Sequence, residues 1–192
     1  RDRVITADMT NAGMTNRGIA IRGSAGVELV DNRGAITGDV FLLGGDDRYI
    51  LYTTSSHTGT VDFGDGNDTL RIFANNTMTN AFDLTDSRFV GLEDVEIDGL
   101  SSADPGYDLA NTAGFTGTIR VLANGALTTA GGLTVGGDLE NAGRVNNDVT
   151  FMADASVAVN TGQITGDVTF ANGDNFYLHG PNATVSGTVF GG

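Results

Sequence analysis

Residues 141–151 read N-A-G-R-V-N-N-D-V-T-F, and this stretch decides the fold because it recurs along the chain. A second copy, N-T-G-Q-I-T-G-D-V-T-F, occupies residues 160–170, and an earlier one, N-R-G-A-I-T-G-D-V-F-L, occupies residues 32–42. A unit that repeats about every 19 to 21 residues is typical of a solenoid, in which one repeat forms one coil. One such coil has too little apolar surface to fold alone, so it needs a neighbouring coil on each side.

The repeats alternate apolar and polar residues in the manner of short β-strands. In the first copy Ile36, Val40 and Leu42 share one parity, so we expect their side chains to point into the coil. Asp39 and Phe41 have the opposite parity and are predicted to point outward. Gly, Asn and Asp separate the strands, and these residue types supply the backbone conformations that tight corners require.

Alignment of the copies predicts which side chains stack on each other. Val149 falls over Val168, and Phe151 falls over Phe170, one coil further along. We therefore predict an all-β fold, a right-handed parallel β-helix with about 19 to 21 residues per coil. Residues 1–192 are expected to form a single solenoid domain, and because the pattern stops in mid-repeat, we expect them to be a fragment of a longer chain.

Composition excludes several classes of function. The chain has 24 acidic and 10 basic residues, for a formal net charge of -14, so nucleic acid and anionic membranes are poor partners. It has no cysteine, which removes disulfides, thiolate metal sites and cysteine nucleophiles. No apolar run is long enough to form a transmembrane segment.

Three features resemble passenger domains of bacterial autotransporters: the N-x-G-x-I-T-G-D-V run, the acidic glycine-rich corners that follow it, and F-V-G-L-E-D-V-E-I-D-G at residues 89–99. The resemblance implies a β-helix displayed on the bacterial cell surface or secreted. Such passengers include adhesins, self-associating proteins, proteases and esterases. Because the sequence contains no catalytic motif, we predict a non-catalytic adhesin, self-association element or stalk. The implied partner is a host or bacterial surface glycan or protein, or a second copy of the chain.

One corner raises the question of calcium. Residues 64–70, G-D-G-N-D-T-L, look like half of the calcium-binding nonapeptide of RTX proteins, with Asp65 and Asp68 as the candidate ligands. No second nonapeptide follows directly, and a plain acidic corner is the simpler interpretation. We predict no cofactor, and a calcium-stabilised structural repeat stays open as an alternative.

Two acidic clusters are the candidates for catalysis, Asp46 with Asp47, and Glu93 with Asp94 and Glu96. A hydrolase needs two carboxylates at a defined separation, so a polysaccharide-processing lyase or hydrolase is the enzymatic alternative. The chain has no lysine to act as a base, and solvated surface acids explain the clusters better than catalysis does. We therefore assign no catalytic residues.

The remaining chemistry-bearing side chains give no further site. His57 and His179 have no second ligand at metal-binding spacing. Phe41, Tyr49 and Tyr177 are predicted to point outward, where a row of aromatic side chains would mark a contact surface.

Overall fold

The structure is a computed structural model, and the chain in it forms two compact units. Unit 1 comprises Arg1–Asn75 and Asp86–Val95, and unit 2 comprises Asn76–Thr85 and Glu96–Gly192. The residues that the structure describes are 3–7, 18–74, 82–83, 88–100, 107–110 and 112–192.

Short β-strands make up almost all of the regular structure. In chain order the strands are β1 Arg3–Ala7, β2 Ile19–Ser24, β3 Glu28–Asn32, β4 Ala35–Thr37, β5 Asp39–Leu43, β6 Arg48–Tyr52, β7 Ser56–Thr58, β8 Val61–Asp62, β9 Thr69–Ala74, β10 Phe82–Asp83, β11 Phe89–Val90, β12 Asp94–Gly99, β13 Leu109–Ala110, β14 Thr118–Val121, β15 Ala126–Thr128, β16 Leu133–Val135, β17 Asp138–Asn141, β18 Arg144–Asn146, β19 Val149–Phe151, β20 Val157–Asn160, β21 Gln163–Ile164, β22 Val168–Thr169, β23 Phe176–His179, β24 Thr184–Val185 and β25 Val189–Phe190. The one helical element among the described residues is a 3₁₀ turn, Thr112–Gly114. No helix in the described part of the chain is long and apolar enough to cross a membrane.

In unit 1 the chain winds in successive turns, and each turn contributes one strand to each sheet. Within unit 1, one sheet contains the strands in the order β1-β3-β6-β9, a second has the order β11-β8-β5-β2, and β4 pairs with β7. Every pairing is parallel, and the partner of each strand lies one turn away along the chain.

In unit 2 the same rule gives three four-stranded parallel runs, β14-β17-β20-β23, β15-β18-β21-β24 and β16-β19-β22-β25. The backbone bonds join equivalent residues of successive repeats, so that Val149 lies beside Val168 and Val168 beside Val189. The described residues thus form a parallel β-solenoid of about eight turns, which confirms the predicted fold class.

The predicted inward positions form the core of unit 1. Ile36, Val40 and Leu42 are buried, and so are Val61 and Phe63 one turn further along the chain. Ile36 lies on β4, Val40 and Leu42 lie on β5, and Val61 lies on β8 with Phe63 directly after it. Alternate residues of a strand face the same side. The prediction from alternation is confirmed at Ile36, Val40 and Leu42.

Tyr49 departs from the prediction. We expected its ring to point outward, but it is fully buried, because Tyr49 lies in register between Val30 and Leu70. Tyr177 is partly exposed and packs edge-on against the buried ring of Phe170, at 6.0 Å between centroids. The parity of inward residues therefore changes at the corner between β5 and β6.

Two stacked glycines show how closely successive turns approach each other. Gly59 adopts a φ of 141°, in the region that favours glycine, and a Cβ placed on it would lie 2.2 Å from the carbonyl oxygen of Gly38. Gly38 itself has a φ of 123° and donates its N–H to the oxygen of Thr58. Only glycine fits this corner in both turns.

The ring stack in unit 2 gives a stability prediction. Phe151 and Phe170 lie 4.7 Å apart between centroids at an interplanar angle of 9°, and Phe151 is 1% exposed. Phe151→Ala removes one layer of this stack and is expected to lower the free energy of unfolding by about 3 to 5 kcal/mol. Chemical denaturation measures the change.

The control is Met152→Ala, the neighbouring position, whose side chain is 59% exposed. It is expected to change the free energy of unfolding by about 0.5 kcal/mol at most. Equal losses in the two variants would contradict the stacked-coil description of unit 2.

Candidate functional site

An acid ladder runs through unit 1 at one corner of four successive turns. We use this name for Glu28, Asp47, Asp68 and Glu93, in which each carboxylate after that of Glu28 accepts the backbone N–H of the preceding acid. The N–H of Glu28 donates to Asp47 Oδ1 at 2.7 Å, and the N–H of Asp47 donates to Asp68 Oδ1 at 2.7 Å. The N–H of Asp68 donates to Glu93 Oε2 at 2.9 Å. The ladder thus ties the turns of unit 1 together at the entrance to β3, β6, β9 and β12.

Three of these carboxylates are buried and incompletely satisfied. Glu28 and Asp68 have no exposed surface, and Asp47 is 1% exposed. Glu28 Oε1 accepts a hydrogen bond from Ser24 Oγ at 2.7 Å. Glu28 Oε2, Asp47 Oδ2 and Asp68 Oδ2 have no hydrogen-bond partner among the described residues.

Burial changes the acid–base behaviour of the ladder. Loss of hydration raises the pKa of Asp47 to about 6, against an ordinary value of 3.8, although the N–H of Glu28 pulls it down. The carboxylates of Asp68, Glu28 and Asp46 raise it further. Burial likewise raises the pKa of Asp68 to about 6, with Glu93 and Asp46 adding to the effect.

Unit 2 makes the same backbone contact with a neutral side chain. The N–H of Ser156 donates to Asn175 Oδ1 at 3.0 Å, in the register that Asp47 and Asp68 occupy in unit 1. The other end of the amide is also satisfied, because Asn175 Nδ2 donates to the oxygen of Ala171 at 2.7 Å. The cap at this corner therefore does not require a negative charge.

The acids of the two clusters considered for catalysis differ in their burial and in the contacts that they make. Asp46 is exposed, and its Oδ1 accepts the N–H of Asn67 at 3.0 Å. Asp94 is buried, and its Oδ2 accepts a hydrogen bond from Asn67 Nδ2 at 2.9 Å. Glu96 is also buried, on β12. Glu28 carries no local signal in the sequence, although it lies 19 residues before Asp47, one period of the repeat.

The calcium hypothesis concerns Asp65 and Asp68. Asp65 is exposed and Asp68 is buried in the acid ladder, with Oδ1 bound to the N–H of Asp47. The part of the chain that the structure describes contains no group of three or more His, Cys, Asp or Glu side chains that could hold a metal ion. We therefore assign neither residue as a metal ligand, and the calcium-stabilised repeat stays an open alternative.

A buried hydrogen-bond network surrounds His57 in unit 1. Asn32 Nδ2 donates to Tyr49 Oη at 3.0 Å, and Tyr49 Oη lies 2.8 Å from His57 Nδ1. His57 Nε2 lies 3.1 Å from the oxygen of Gly38, which can only accept, so the proton of the neutral ring belongs on Nε2 and Tyr49 donates to Nδ1. Burial lowers the pKa of His57, and the charge of Arg88 adds to this effect.

Unit 2 contains a small open cleft of about 310 Å³. Its lining is mostly small and neutral, and Asp108 is the one carboxylate among the described lining residues. The remaining lining residues are Leu109, Ala110, Thr112, Ala113, Thr129, Ala130, Gly132 and Thr134. A single carboxylate does not provide the acid pair that glycoside hydrolysis uses.

An apolar patch lies on the outer face of β20 and β23 in unit 2. Because β20 and β23 pair in parallel, each outward side chain of one strand lies beside an outward side chain of the other on this face. The patch consists of Val157, Val159, Phe176 and Leu178. Phe176 is 55% exposed and Leu178 is 48% exposed. β17, which lies beside β20, and its other neighbour β14 carry an ion pair, in which Arg120 Nε lies 2.9 Å from Glu140 Oε2.

Comparisons with protein-family models, with curated proteins and with solved structures find no match for this chain. The parallel β-solenoid is therefore established by the structure itself, and the likeness to autotransporter passengers and RTX repeats rests on the sequence pattern.

The two tyrosine–histidine pairs give a matched test of the network in unit 1. Tyr49→Phe leaves buried groups of His57 and Asn32 without their hydroxyl partner, so we expect it to lower the free energy of unfolding by about 1 to 3 kcal/mol. Tyr177 Oη makes the equivalent contact to His179 Nδ1 at 3.0 Å, but this pair is exposed. Water can replace the hydroxyl there, so Tyr177→Phe is expected to change the free energy by about 0.5 kcal/mol at most. Denaturant titration of both variants compares the two, and equal losses would contradict the description of a buried network.

Proposed function

We propose that this chain is a non-catalytic β-solenoid that acts as an adhesive or spacer element outside the bacterial cell. The observation that carries the proposal is the use of Asp47, Asp68 and Glu93 as caps for backbone N–H groups between turns. These carboxylates are occupied by backbone N–H groups of the adjacent turn, and a carboxylate held in this way is poorly placed to meet a substrate. A role based on surface contact fits a scaffold whose buried carboxylates are used for contacts between turns.

The apolar patch of unit 2 is the surface that we assign to adhesion. Exposed apolar side chains that adjoin each other on a soluble protein commonly mark an interaction site. The chain as a whole carries a net charge of -14, so a neutral or cationic glycan or protein is favoured over an anionic partner. Phe176 offers an aromatic ring, and Glu140, which is paired with Arg120, lies in register beside Val159 of the patch.

The proposed location follows from the resemblance to autotransporter passengers. The repeated N-x-G-x-[IV]-x-[GN]-D-V pattern and the parallel β-solenoid are both expected of such a passenger. Cell-surface display or secretion, and a bacterial or host surface as partner, are part of the proposal for this reason.

Adhesion can be tested with beads coated with the protein and incubated with bacterial or host cells. We expect Phe176→Thr with Leu178→Thr to reduce cell-bound beads about tenfold, because two exposed apolar anchors are lost. Met152→Thr replaces a side chain that is equally exposed but lies outside the apolar patch, and it serves as the matched control. Unchanged binding by the double variant would contradict the assignment of this surface.

The absence of catalysis is tested on a panel of acidic and neutral polysaccharides. We expect neither new reducing ends nor unsaturated sugar products, with or without added calcium. Product formation that is lost in Asp47→Asn or Asp108→Asn would overturn the non-catalytic assignment and favour a polysaccharide-processing enzyme.

A further inference from the structure

The acid ladder keeps ionisable groups at a corner where a neutral side chain makes the same cap. Asn175 in unit 2 accepts the backbone N–H and also satisfies its own amide group. Asp47 and Asp68 accept the backbone N–H through Oδ1 but leave a buried Oδ2 without a donor among the described residues. A buried carboxylate in this condition destabilises the fold, and a bound proton would remove its charge.

The charged groups that raise the pKa values of Asp47 and Asp68 belong to the same corner and to the turns on either side, and all of them are acidic. Glu28 belongs to the preceding turn, Glu93 to the following one, and Asp46 to the same corner. Arg48 follows Asp47 directly on β6, and strand alternation directs it to the opposite face. Gly23 and Ser24 of β2 border Glu28 and carry no charge. Each carboxylate thus favours protonation of its neighbours.

We propose that the acid ladder is a proton-binding element: at mildly acidic pH the buried carboxyls of Asp47 and Asp68 each take up one proton on Oδ2, and this stabilises unit 1. The Oδ1 atoms keep their backbone N–H partners in both states, so protonation removes charge without breaking the contacts between turns. At higher pH the protons leave, and unit 1 is destabilised by uncompensated buried charge. This regulation by pH is independent of the adhesive role proposed for unit 2.

The direction of the effect follows from the two pKa values. Each pKa is about 6 in the folded chain and 3.8 for the ordinary side chain, so folding raises it. The resulting stabilisation is complete below about pH 4 and is lost as the pH rises through about 6. His57 has the opposite effect, because its lowered pKa destabilises the fold as protons bind to the unfolded chain below about pH 6.5. The contribution of the ladder to stability is therefore measured by comparing the intact chain with a variant in which Asp47 and Asp68 cannot ionise.

The first experiment compares the intact chain with Asp47→Asn combined with Asp68→Asn in thermal melts from about pH 5 to about pH 8. Asparagine keeps the Oδ1 acceptor and cannot ionise. We expect the double variant to melt at least about 4 °C above the original chain at the upper pH, and this difference in melting temperature to become smaller at the lower pH. The control is Asp174→Asn, which replaces an exposed acid at the equivalent corner of unit 2. Its difference in melting temperature from the original chain should be the same at every pH. The proposal would be overturned if the difference in melting temperature between the double variant and the original chain did not change with pH.

The second experiment needs no substitution and stays decisive if the double variant does not fold. Carbon-13 NMR of the side-chain carboxyls in the intact chain should show two aspartates that titrate near pH 6. Titration of both at the ordinary value near pH 4 would overturn the proposal. A rise in melting temperature with calcium at neutral pH, present in the intact chain and absent in the double variant, would overturn it in favour of a cation held by the ladder.

Discussion

The parallel backbone hydrogen bond between successive turns is the interaction on which the rest of this structure depends. It fixes the register, so that each residue lies over its equivalent one turn earlier, as Val168 lies over Val149. The same register stacks the rings of Phe151 and Phe170 and places Asp47 against Asp68. One geometric rule therefore produces both an apolar core and a column of buried charge, and the residue type at each corner decides which of them forms.

The fold could be predicted because the register is visible in the sequence. A repeat at a fixed period needs no knowledge of contacts, and the strand alternation within it identified Ile36, Val40 and Leu42 as core residues. Tyr49 was predicted wrongly because the parity was carried across a corner. Leu43 and Gly45 have φ values of 80° and 114°, and these left-handed conformations reset which residues face inward.

The candidate site was harder to predict because it depends on contacts between turns. Asp47 and Glu93 stood out as members of acidic clusters along the chain, whereas their partners are the acids one turn away. Glu28 lies in an apolar stretch, V-E-L-V, and gave no local signal. Its role follows only when the period is applied to charged residues as well as apolar ones. Burial, which changes the chemistry of Asp47 and Asp68, depends on the packed interior and has no signature in the local sequence.

The register also has an evolutionary consequence. Since each turn contacts only its neighbours, duplication or deletion of one whole coil leaves every other column of residues aligned. Insertion of a single residue within a strand would instead move the inward side chains to the outer face. Such a chain can therefore change its length in steps of one coil. Each coil copied from the region of Asp47 would add another rung to the acid ladder, whereas each coil copied from the region of Asn175 would lengthen the solenoid without adding a charge.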